Sequence, residues 1–85
     1  KGMSPTILRQ GGFQFIIFVN DHPPAHVHVR RAGNVARVRL QPVEILHNIG
    51  YNQRELRTIR TIVERHQRDL LNAWNAIHGD EQDAG

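Results

Sequence analysis

The stretch "NDHPPAHVHVR", Asn20 to Arg30, holds three of the chain's six histidines. His26 and His28 are two residues apart, so in an extended chain they point the same way, with Cβ atoms roughly 6.5–7 Å apart. That spacing suits three uses. The pair could bind one divalent ion, with His22 or Asp21 as a further ligand. It could act as acid and base on either side of a phosphate, with His22 as a third catalytic candidate. Or it could be a polar pair on a solvated sheet face, which is the plainest reading of histidine–any–histidine.

The neighbours rank the two chemical uses. Alternation places Arg30, Arg37 and Arg39 on the face of His26 and His28, where guanidinium groups repel a cation, attract a phosphate and stabilise charge on a transferring phosphoryl group. Only Asp21 offers a nearby carboxylate. The sequence therefore ranks an anion site, with Arg30, Arg37 and Arg39 as its cations, above a metal site of Asp21, His22, His26 and His28. No cofactor is required by this reading, and a divalent metal is the alternative.

Several elements must position these residues. "TILR" reads as a short strand before a turn at Gly11-Gly12. "FQFIIFV" is a strand with apolar residues on both faces, so Ile16 and Phe18 want a cover, which points to a homodimer or a partner. "AHVHVRR" alternates, with Val27 and Val29 inward and His26 and His28 on an exposed face. A hairpin around Gly33-Asn34 leads into "VARVRL", whose Ala36, Val38 and Leu40 share the apolar side. Pro42 ends that strand, and "VEILHNIG" fits an edge strand or an irregular crossing equally well.

Asn52 with Glu55 three residues later resembles a capping box. Leu56, Ile59, Val63, Leu70, Trp74 and Ile77 then form one helical stripe of about 39 Å, with a kink admissible near His66-Gln67. Trp74 belongs to the core by its place in the stripe, and His66 borders it. Gly79 ends the helix and the acidic residues 80–85 are expected to be disordered. The predicted fold is α+β: an antiparallel sheet of about four strands followed by one long C-terminal helix packed on one face, forming a single domain over residues 3–79.

Composition bounds the partners. The chain has 85 residues and no cysteine, which excludes disulfides and thiolate metal sites. No apolar run suits a membrane span and no leader pattern is present, so the expected location is cytoplasmic. Lys1-Gly2 ahead of Met3 reads as foreign to the native chain. Residues 3–79 carry ten arginines against five acids, a net +5 that favours anionic partners such as RNA or an acidic protein.

"SPTILRQGGFQFIIFVNDHPPAHVHV", Ser4 to Val29, resembles domain-of-unknown-function family 4160, small bacterial proteins. Asp21, His22, Pro24, His26 and His28 match its Asp-His-any-Pro-Pro-His-apolar-His-apolar pattern. Ala25 stands where the second proline is usual, which loosens the entry to the strand. "ELRTIRTIVERHQRDLLNAWN" is similar to the family's C-terminal helix, with Trp74 at its tryptophan. The resemblance implies similarity to toxin–antitoxin components and a cognate small protein encoded nearby. The resulting expectation is a toxin–antitoxin-like module that binds or acts on RNA through the His/Arg face. The alternatives are a non-catalytic module that binds its small partner, and a histidine-based metal-binding domain; whether catalysis occurs is left open by the residues.

Overall fold

The computed structural model describes residues 6–84 along the backbone and side chains as far as residue 79; Lys1-Gly2 and Gly85 lie outside the described residues. The order is β1 (Thr6–Gln10), β2 (Phe13–Ile16), β3 (His26–Arg31), β4 (Asn34–Leu40), β5 (Val43–Ile49), α1 (Gln53–Arg65) and α2 (Gln67–Ala84). The fold is α+β, but the described residues form five strands and two helices where about four strands and one helix were expected. The strands form one antiparallel meander in sequence order.

The β3–β4 hairpin sets the register. Ala32 (φ 50°) and Gly33 (φ 86°) are both left-handed, the geometry of a two-residue turn that suits strand twist. Its register pairs Val27 with Val38 and Val29 with Ala36 on one face, and His26 with Arg39 and His28 with Arg37 on the other. The first face is fully buried together with Phe13, Phe15, Ile17 and Leu40. Each such side chain contributes about 1.5–3 kcal/mol by leaving water, so a one-residue slip would be costly.

Pro42 sits in the turn to β5, which pairs with β4 along its length and carries a register shift between Arg37 and Val38. "VEILHNIG" is therefore a strand. It is mostly exposed, which is why its sequence shows no clear alternation.

The α1 start follows the predicted reciprocal cap. Asn52 Oδ1 accepts from the Glu55 amide at 2.8 Å, and Glu55 Oε1 accepts from the Asn52 amide at 2.9 Å. Ile59, Ile62 and Val63 pack this helix onto the buried sheet face. The helix breaks at His66, where φ is −107°. His66 Nε2 meets Gln10 Oε1 at 2.9 Å, so the break seats a half-buried polar ring against β1. Gly79 does not end α2, which continues to Ala84. It is absent from the residues with positive φ, and a glycine stops a helix only when it turns left-handed.

The break redirects α2 across one end of the sheet. Gln67 Nε2 donates to the carbonyl of Leu40 at 2.7 Å, at the end of β4. Trp74 lies against His26, the first residue of β3, with ring centroids 5.3 Å apart. His78 Nε2 contacts the carbonyl of Phe18, just after β2, at 3.1 Å. Eleven helical residues advance about 16 Å, enough to pass three strand ends spaced about 4.8 Å apart.

This course corrects one expectation. His26 is buried, at 7% exposure, with Trp74 packed on its ring; on the same face His28 is half-buried and Arg37 exposed. Ile16, for which the sequence offered no cover, is buried at 1%. Phe18 is half-buried with its ring against the edge of His28, centroids 4.7 Å apart.

Candidate functional site

The site begins with a turn. The Asp21 amide donates to the Phe18 carbonyl at 3.0 Å, and Asp21 Oδ2 accepts from the Phe18 amide at 2.9 Å. One carboxylate oxygen is thus used to close the turn, in the manner of aspartate side chains that bond nearby backbone. The other, Oδ1, faces the histidines. It lies 3.0 Å from His28 Nε2 and 3.6 Å from His26 Nε2.

The His26 ring is fixed on three sides. Its Nδ1 lies 2.8 Å from the carbonyl of Pro24. A carbonyl accepts only, so Nδ1 carries the proton and donates to it. Neutral His26 therefore presents the Nε2 lone pair toward Asp21. Trp74 packs on the same ring, and His78 stacks on Trp74 with centroids 4.2 Å apart. The Phe18 carbonyl, which already accepts from Asp21, is the group His78 reaches. Helix α2 thereby steadies both the turn that carries Asp21 and the ring of His26. Ala25 does not leave the loop untied, since its carbonyl accepts from the Leu40 amide at 2.9 Å.

Burial pushes the Asp21 carboxyl up. The His28 hydrogen bond, the Phe18 amide and the attraction of His28 and His26 in their protonated forms together outweigh this, and the carboxyl sits below its ordinary value. Asp21, His26 and His28 each offer one ligand atom, all within 4.8 Å of one another. Bonds of about 2.0–2.1 Å to one ion place neighbouring ligand atoms about 3.0–3.4 Å apart, and the two contacts to Oδ1 are already close to that range.

These residues line a cleft of about 350 Å³ together with Asn20, His22, Pro23, Pro24, Arg37 and Leu46. His22 is exposed and lies at the cleft without joining the three-residue cluster. Arg39 shares the face but is taken by Glu44 and by the Pro42 carbonyl. Arg30 lines a different groove, with Arg9, Gln14 and Arg31. Of the three arginines expected to make the site positive, Arg37 alone lines this cleft. The sequence reading missed His78, although its place four residues after Trp74 puts it on the same helix face.

Among the described residues no helix is long and apolar enough to cross a membrane. Comparison with curated proteins and with solved structures returned no match. The model of one family, described as a domain of unknown function (DUF4160), matches residues 12–75. That span includes the Asp21–His28 motif, the β3–β4 hairpin and Trp74, and by it the chain belongs to the DUF4160 family.

Proposed function

We propose that this chain is a divalent-metal-binding domain whose ligands are Asp21 Oδ1, His26 Nε2 and His28 Nε2. The observation that carries the reading is the Pro24 carbonyl on His26 Nδ1. In the neutral form of the ring it leaves the Nε2 lone pair aimed at a carboxylate oxygen 3.6 Å away. Two acceptors in that relation call for a cation between them, either a proton on the ring or a metal ion. A second hydrogen bond that fixes tautomer and orientation is the usual support for a metal-bound histidine.

Two imidazoles and one carboxylate suit zinc and other first-row divalent ions. Three protein ligands leave at least one position for water or substrate, facing the cleft. The anion reading from sequence rested on three arginines around the histidines; with Arg39 paired to Glu44 and Arg30 in another groove, a cation faces far less repulsion. Calorimetric titration with Zn²⁺ tests the reading. One ion per chain is expected, with affinity reduced at least about 10-fold in His28→Gln and falling on acidification as protons compete for the imidazoles. Absence of zinc binding at neutral pH would remove the proposal.

A further inference from the structure

Resting on the metal reading above, we infer that the open side of this centre takes a phosphoryl group, held between the metal and the guanidinium of Arg37. The register of the sheet places Ile16, His28, Arg37 and His47 in one row, as each is the partner of the next across β2, β3, β4 and β5. Directly paired residues share a face of the sheet. A ligand atom of the centre, His28, is therefore the immediate neighbour of Arg37, and His47 follows on the far side.

Arg37 and His47 are both exposed. The ion pairs of the described residues engage Arg31 and Arg39 but not Arg37. Among the described residues Arg37 is thus an unpaired cation at the wall of the cleft, in contrast to Arg39 two residues along the same strand. The cleft also carries His22 at its exposed rim. A planar guanidinium binds phosphate oxygens in bidentate fashion, while a divalent ion takes a further oxygen of the same group. A carboxylate ligand has only two oxygens; a phosphoryl group has enough to engage the ion, Arg37 and the imidazole of His22 at the rim together.

The test uses the full chain, apo and loaded with one equivalent of Zn²⁺. Adenosine 5′-monophosphate and a short single-stranded oligoribonucleotide without terminal phosphates are titrated against each. The monophosphate is expected to bind at least about 10-fold more tightly to the loaded protein, and Arg37→Ala to reduce that binding about 10-fold or more while zinc affinity stays within about 3-fold. Binding of the monophosphate alone would assign the site to phosphate monoesters; parallel binding of the oligoribonucleotide would assign it to phosphodiesters as well. Equal affinity in the apo and loaded protein, or an Arg37→Ala variant that binds like the wild type, would overturn the inference while leaving the metal centre intact. A protein that takes up no zinc would overturn both.

Discussion

Substitution of Trp74 separates the packing of the indole from its polar atom. The side chain is fully buried, yet among the described residues its Nε1 finds no hydrogen-bond partner. Trp74→Phe removes two ring carbons and this N–H. The carbons and the space they leave account for about 2 kcal/mol. Removing an unsatisfied buried donor offsets about 1–3 kcal/mol of that. The net change is expected to lie within about 1 kcal/mol, or about 4–8 °C in melting temperature for a domain of this size. Trp74→Ala takes the whole ring from His26, His78 and the core, and is expected to cost about 3–5 kcal/mol. Trp74 is the only tryptophan, so urea unfolding is followed by far-ultraviolet circular dichroism, and equal slopes are needed for a clean comparison. A Trp74→Phe variant as unstable as Trp74→Ala would refute the reasoning, because the N–H would then be contributing a bond in the folded state.

Gly50 has φ 103°, and a Cβ there would collide with the Asn34 side chain; Gly33 has φ 86° but open space around it. Both alanine variants should lose about 1–3 kcal/mol for backbone strain, with Gly50→Ala the worse of the two by equilibrium unfolding, and the opposite order would discredit the contact. Asp21 is an acid held below its ordinary value. Its contribution is present above the unfolded-state pKa and lost as pH falls through the lower folded-state pKa. Unfolding free energies of the metal-free protein across that acid range should fall more steeply for the wild type than for Asp21→Asn, and parallel curves would count against the Asp21–histidine contacts.

The sheet was legible where one face is buried and the other polar. Val27, Val29, Ala36 and Val38 alternate with His26, His28, Arg37 and Arg39, and that alternation held both the hairpin and its faces. The Asn52–Glu55 cap was legible because both of its bonds are local. What was not legible depended on the break at His66. A straight helix over the buried face leaves His26 in water. A helix turned across the strand ends puts Trp74 on His26 and His78 behind it, and no local pattern fixes that direction. The structure brings Asp21, His26 and His28 together and leaves His22 at the rim of their cleft, but of Arg30, Arg37 and Arg39, which the sequence set beside them, Arg37 alone lines that cleft. Sharing a face does not mean sharing a cleft, and the Glu44 that engages Arg39 sits on a strand whose pattern is too exposed to read.

Long-range ¹H–¹⁵N spectra of the histidine side chains, recorded before and after one equivalent of Zn²⁺, test the central claim most directly. His26 is expected to show a protonated Nδ1 throughout, held by the Pro24 carbonyl. On zinc addition, the Nε2 resonances of His26 and His28 should move to metal-bound positions, while His66 and His78, tied to Gln10 and Phe18, stay in place. Protonation of His26 at Nε2 in the neutral ring, or zinc shifts confined to the exposed His22 and His47, would contradict the account.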